Sequence, residues 1–324
     1  MPQSFVKTVA QGGAAMVAAT PPGRWLATCG GRLPCALKAA NVARGMSAIA
    51  RRVDGLEALI ETNGGIADNL RLLIPSGKSD LLYGRPDQQL SERATLALAM
   101  ALARGSRTFV DIGANEGIFT FSIAHMLGAA RHAQIHAFEP DPELFGRLQT
   151  NLDRNAITVQ LSNAAVGNHI GMQTFHRNLD DDSSGSLTTF FSQTHRTSAI
   201  QMQVTTLTNY LEVHALEQVC VKVDVEGAGA AVWDGARAGQ RRLKWMLVEI
   251  IGPELEAKLP ERIIAETGWN AFYIRDFDLV RSKGGEYEYV APFYNWLFCP
   301  AAANDLAALL ENTRFRVLQS ERAI

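Results

Sequence analysis

Asp111, Gly113 and Gly117 lie together in Val110-Asp111-Ile112-Gly113-Ala114-Asn115-Glu116-Gly117, after an apolar run that reads as a strand and before one that reads as a helix. Glycines in such a turn let another group come close to the backbone, beside a helix N-terminus whose unpaired N–H groups favour electron-rich ligands. A dinucleotide fingerprint needs G-x-G-x-x-G so that a pyrophosphate can sit on that terminus. The spacing here is different, and a carboxylate stands two residues ahead of the first glycine. That charge repels a pyrophosphate and attracts a cation.

The next strand-like run ends at Phe138-Glu139-Pro140, with Glu139 22 residues after Gly117. An acidic side chain there can accept hydrogen bonds from both hydroxyls of a ribose. A ribose acceptor near an anionic, glycine-rich turn fits a nucleoside that carries positive charge. S-adenosylmethionine (SAM), with a sulfonium and an ammonium, has that chemistry. A third segment, Lys222-Val223-Asp224-Val225-Glu226-Gly227-Ala228, ends a later strand, where an open α/β sheet reverses its order and forms a ligand crevice. Asp224 and Glu226 are two residues apart, so a strand's alternation turns both toward that crevice. A carboxylate there suits acceptance of a hydroxyl proton. Glu226 could equally serve the N-terminus of the following helix.

The elements that position these residues alternate from residue 107 onward. Strand-like runs at Thr108–Ile112, Gln134–Phe138, Thr158–Leu161, Val219–Val223 and Trp245–Ile250 are interleaved with helical runs at Ile118–Leu127, Pro142–Leu152 and Ala228–Ala236, and one reaching Thr267. Such alternation implies βαβ crossovers and a mostly parallel sheet with helices on both faces. Later runs at Phe272–Ile274, Tyr287–Val290 and Trp296–Phe298 lack intervening helices and suggest an antiparallel edge, followed by a helix near Asp305–Leu310. Upstream, Cys35, Ala39, Val42, Met46, Ile49, Val53, Leu56 and Ile60 repeat at four and three, which predicts a helix over about 35–62. It would pack on its own domain or form a homo-oligomer contact. Leu70–Pro75 and Leu81–Gly84 read as a hairpin, and Arg93–Arg104 as a helix capped by Ser91.

Together these motifs resemble the FkbM-type family of SAM-dependent O-methyltransferases. The resemblance rests on Val110 to Gly117, Phe138-Glu139-Pro140, Asn163-Ala164-Ala165-Val166-Gly167, Thr206-Leu207, Lys222 to Gly227 and Asn295-Trp296-Leu297-Phe298, with a lead-in from Tyr83 to Glu92, and spans roughly 80–300. It implies a Rossmann-like class I methyltransferase fold over 105–300. Residues 1–68 would be an N-terminal extension, 69–104 the hairpin and lead-in helix, and 301–324 a C-terminal helical tail. It implies SAM as cofactor, with Asp111 and Gly113 at its methionine part, Glu139 at the ribose and Asn163 near the adenine. Asn115, Gly117, Pro140 and Ala164 would belong to the same pocket, and Asp224 would lie close to the transferred methyl. The implied acceptor is a hydroxyl of a sugar or glycosylated metabolite. Gly229 departs from the pattern, where an acidic residue is expected.

Other residues are weaker candidates. His176 and His195 bracket an Asp180-Asp181-Asp182-Ser183-Ser184-Gly185-Ser186 run, and either could act as general base; the run itself suits sugar hydroxyls, a cation or plain solvation. His125, His132 and His136 read as ordinary surface or core residues. No CxxC or His/Cys metal spacing occurs, and the rival to a proton acceptor at Asp224 is a divalent metal held by Asp224, Glu226 and Glu249. Thirty-one basic and 33 acidic residues leave a net charge of −2, with no excess to neutralise a nucleic-acid backbone. No apolar run is long enough for a membrane span, and four cysteines in 324 residues suit a reducing, cytoplasmic setting. Two other readings remain: an NAD-type oxidoreductase, against which Asp111 and the missing fingerprint count, and a non-catalytic binding protein on the same fold.

Overall fold

The computed structural model describes residues 56–60, 70–74, 86–179, 185–251, 256, 258–282 and 294–319. Two strands come first, β1 (Leu56–Ile60) and β2 (Leu70–Ile74), paired antiparallel with Leu56 opposite Ile74. Residues 35–55 of the expected helix lie outside the described residues, and its last turn is β1 instead. A short apolar run such as Leu56–Ile60 fits either period. Its ladder with β2 settles the matter; residues 81–84, the expected hairpin partner of Leu70–Pro75, lie outside the described residues. Helix α1 (Pro86–Arg104) begins five residues ahead of Ser91. Proline suits a first helical turn, where its missing N–H has no partner to lose, so Ser91 falls inside the helix rather than ahead of it.

The α/β core then runs β3 (Thr108–Ile112), α2 (Ile118–Leu127), β4 (Ile135–Phe138), α3 (Pro142–Arg154) and β5 (Gln160–Ser162). Four strands follow: β6 (Ala165–Val166), β7 (Gly171–Asn178), β8 (Gly185–Ser186) and, after helix α4 (Thr189–Thr194), β9 (Thr197–Thr205). The core resumes with α5 (Leu207–Val213), β10 (Val219–Val223), α6 (Gly229–Ala236), β11 (Leu243–Glu249) and α7 (Leu259–Thr267). It closes with β12 (Asn270–Arg275), β13 (Asp278–Arg281), β14 (Asn295–Cys299), α8 (Ala303–Leu309) and β15 (Arg316–Leu318).

Nine strands form the main sheet in the order β15-β13-β12-β14-β11-β10-β3-β4-β5. The strands from β11 to β5 are parallel, and β14 inserts antiparallel between β11 and β12. This is the expected mostly parallel sheet with an antiparallel edge. The expected Tyr287–Val290 strand lies outside the described residues. The tail expected to be helical also carries β15, which pairs with β13 at the edge.

Burial explains why the central strands were legible. All five residues of β3 and of β10 are buried, as expected for strands covered on both faces. Alternate residues enter opposite cores: Phe109 and Cys220 pack under α1 and α2, while Val110 and Val221 pack with Val232 and Trp233 of α6. The chain leaves β3 toward β4 on one side and returns to β10 on the other, so the carboxyl ends of β3 and β10 flank the switch point. Residues 165–205, irregular to sequence reading, build a second sheet of order β6-β9-β7-β8. No helix among the described residues is long and apolar enough to cross a membrane.

Candidate functional site

At the switch point two turns touch. The Asp224 N–H donates to the Ile112 carbonyl at 3.0 Å, and Gly113 and Ala114 donate to Phe138 O at 3.0 and 2.9 Å. Gly113 has φ +78°, and a Cβ on it would stand 1.8 Å from the Asp224 carbonyl oxygen. Only glycine lets the two loops meet. Gly117, at φ +96° ahead of α2, would put a Cβ 2.5 Å from Leu148. Both glycines are therefore required, but by the protein's own packing. Gly113 is among the residues that line the cleft and Gly117 is not.

Glu139 ends β4 at the cleft wall and is 4% exposed. Its Oε2 accepts from the Asn115 N–H at 2.7 Å and its Oε1 from the Asp141 N–H at 2.8 Å. A carboxylate offers about four acceptor positions, so two remain. Burial pushes its carboxyl up to about 7, against the pull of the two backbone N–H groups. Asn163 donates to the Glu139 and Pro140 carbonyls at 2.8 and 3.0 Å. It braces the loop from outside the cleft wall, to which Pro140 and Ala164 contribute directly. Asp141 caps α3 through Glu143 N at 2.8 Å and Leu144 N at 3.3 Å, and its other oxygen pairs with Arg177 of β7.

Asp111 lies beneath the cleft rather than on its wall. It is wholly buried, its Oδ2 accepts from the Thr120 hydroxyl at 2.7 Å, and its Oδ1 accepts no hydrogen bond. Burial raises its carboxyl above the ordinary range despite Lys222. Lys222, which sequence reading passed over, is the link. Its Nζ donates to the Gly113 carbonyl at 2.9 Å and lies 3.2 Å from Asp224 and 3.5 Å from Asp111. Asp224 lines the cleft with its side chain 29% exposed. Burial alone would raise its carboxyl; Lys222 and a hydrogen bond with Glu249 instead bring it below the usual range. Glu226 also lines the cleft, in a left-handed turn at φ 50°.

The insert supplies the remaining wall through Phe175, Gly185, Ser186 and Leu187. Ser186 donates to the Val225 carbonyl at 3.3 Å, and Arg177 grips Asp141 and, at 3.1 Å, Glu143. Period-two alternation that turns Phe175 inward turns His176 out of the cleft. His195 caps α4 and stacks on Phe191 at 4.3 Å, also outside it. Neither histidine is brought to the site. Residues 180–184 lie outside the described residues. His125 is exposed and His136 buried, both away from the cleft.

The missing acid at position 229 has a counterpart. Glu256, fully buried, accepts from Ala230 N at 3.2 Å and Ile251 N at 3.0 Å, and its Oε1 lies 2.8 Å from where a Cβ on Gly229 would be. Its carboxyl is pushed up to about 7 by burial. No group of three or more His, Cys, Asp or Glu among the described residues could hold a metal ion. The cleft has a volume of about 90 Å³.

The sheet order and the cleft at its switch point define a Rossmann-like α/β methyltransferase fold. A family model described as the methyltransferase FkbM domain matches residues 111–289, more than half of the chain, and the chain belongs to that family of methyltransferases. Among solved structures, methyltransferase FkbM from Methylobacillus flagellatus KT is 15% identical at a TM-score of 0.38, over 60% of this chain and 43% of that one. An O-methyltransferase from Bacillus cereus in complex with SAH is 12% identical at a TM-score of 0.37, over 65% and 79%. A precorrin-6y C5,15-methyltransferase from Geobacter metallireducens GS-15 is 14% identical at a TM-score of 0.34, over 64% and 87%. This chain thus spans less than half of the first of these. No curated protein matches.

Proposed function

We propose that the protein moves the methyl group of SAM to a hydroxyl oxygen of a sugar or glycosylated metabolite. The observation that carries the reading is the pairing, across one cleft, of a buried Glu139 with spare acceptor positions and an Asp224 held ionised. When bound, SAM supplies a methyl group made electrophilic by its sulfonium. Glu139 accepts the ribose hydroxyls, and the Asn163 brace fixes its loop. Asp224 orients the acceptor hydroxyl and takes its proton as the oxygen gains its new bond. A carboxylate below its usual range is adequate for this, because a protonated ether is far more acidic still. Phe175 and Leu187 keep bulk water from the wall opposite.

The family assignment sets aside the oxidoreductase alternative. The choice of oxygen and of a carbohydrate-bearing acceptor rests on the resemblance to FkbM-type O-methyltransferases. The test is incubation with SAM labelled by carbon-13 at the methyl group and a panel of glycosides with their aglycones. A methoxy signal on a glycoside is the expected product. Methylation at nitrogen or carbon overturns the reading, and SAM binding without turnover on any acceptor favours a binding protein.

A further inference from the structure

Lys222 stands in the middle of the molecule, on a strand whose other four residues are buried and apolar. A buried ammonium carries a desolvation penalty that Met or Leu at the same position would avoid. Its surroundings show what the charge does. Asp111 faces it from β3, Asp224 from the turn directly after its own strand and Glu139 from the end of β4; Glu249, on β11, reaches it through Asp224, and Glu226 follows in the same turn. The ring of Phe119 from α2 closes the site at 4.8 Å. One cation thus serves two carboxylates at ion-pair distance, and it serves them unequally. Asp111 keeps an oxygen without a hydrogen bond, while Asp224 lies nearer, at 3.2 Å. The third contact is to backbone, where Lys222 binds the carbonyl of the one glycine at which the two site loops touch.

We propose that Lys222 is a positioning residue for both halves of the site: its ammonium fastens the glycine-rich loop through the Gly113 carbonyl and, with the same charge, keeps Asp224 ionised at the cleft. The second half rests on the reading of Asp224 as proton acceptor. The first half is independent of it. Lys222 offsets burial only in part at the wholly buried Asp111 and outweighs it at Asp224, which is nearer and part-exposed.

The test compares Asp111→Asn with Asp111→Asn/Lys222→Met. Removing Lys222 together with its wholly buried partner leaves only the part-exposed Asp224 without its cation, so the paired variant should fold more readily than Lys222→Met alone; Lys222→Arg keeps the charge as a further control. Aspartate labelled with carbon-13 at its carboxyl reports titration directly, and the Asp224 signal is the one lost in Asp224→Asn. In the paired variant Asp224 should titrate higher by at least about one pH unit, and S-adenosylhomocysteine (SAH) affinity by calorimetry should fall roughly tenfold. In Lys222→Arg the Asp224 titration should stay near wild type. An unmoved Asp224 titration, or an unchanged SAH affinity, in the folded paired variant overturns the proposal. Full turnover by Asp224→Asn would remove the proton-acceptor reading while leaving both of these measurements intact, so the two failures are told apart.

Discussion

Ionisation of Glu139 should make cofactor binding depend on pH in a defined direction. Its carboxyl is buried and pushed up to about 7. Two ribose hydroxyls donate best to a carboxylate, whereas the protonated acid has turned one acceptor oxygen into a donor. Apparent affinity should then follow the ionised fraction, about a tenth at pH 6 and about nine-tenths at pH 8. SAH should therefore bind roughly tenfold more tightly at pH 8 than at pH 6, a difference of about 1.4 kcal/mol. Near pH 7 binding should release about half a proton, visible in calorimetry as a buffer-dependent enthalpy. Stability runs the other way. A carboxyl raised from 4.5 to about 7 stabilises the folded ligand-free protein below pH 4.5, and that contribution is lost as pH rises through 7. Glu256 adds a slope of the same sign, so binding rather than melting isolates Glu139. Glu139→Gln keeps the shape and should flatten the binding profile. Equal SAH affinity at pH 6 and 8 in the wild type, or a persisting slope in Glu139→Gln, would refute this reasoning.

Other positions carry equally definite expectations. Gly113→Ala forces a methyl against the Asp224 carbonyl at a left-handed backbone, which should cost about 1–3 kcal/mol or more and abolish SAH binding; an unchanged melting temperature would show that the loops can part freely. Asp224→Asn should cut turnover of a methylated acceptor by about 10²–10⁴ while SAH affinity stays within about threefold; wild-type turnover would dismiss it as the proton acceptor. Arg177→Met removes the clip between the insert and the Asp141 cap at a side chain 29% exposed, so after solvent screening a loss of about 1 kcal/mol is expected. Scanning fluorimetry should then show a melting temperature lower by a few degrees, and no change would mean that Ser186 and the Phe175 wall hold the insert by themselves.

The parts of the site that were legible in the sequence lie where buried parallel strands end. Thr108–Ile112 and Val219–Val223 read as continuous apolar runs because both faces are covered, and the polar residues that stop them are at the crevice. Glu139 was found by the same logic at the end of β4. What escaped was created by contact between distant segments. Arg177 reaches an acid 36 positions away, and no local pattern marks either partner. Strand β7 carries polar residues on both faces, so its alternation is weak and nothing singles out Phe175 from the adjacent His176, although β9 alternates cleanly through Ile200, Met202 and Val204. Lys222 was visible as a letter, but its meaning depends on Asp111 one strand away and on the Gly113 carbonyl. Leu56–Ile60 fits two periods equally well, and only its ladder with Leu70–Ile74 decides.

The central claim is that the Glu139 cleft holds SAM, and one calorimetric comparison addresses it. SAM, SAH and NAD⁺ are titrated into the wild-type protein and into Glu139→Ala, with melting curves to confirm that the variant is folded. SAM and SAH should bind the wild type, and NAD⁺ should not. Loss of the buried acceptor should weaken SAH by roughly tenfold to a hundredfold, since a charge-assisted bond contributes about 1.5–3 kcal/mol. Binding of NAD⁺, or an SAH affinity that Glu139→Ala leaves unchanged, would contradict the assignment of this cleft.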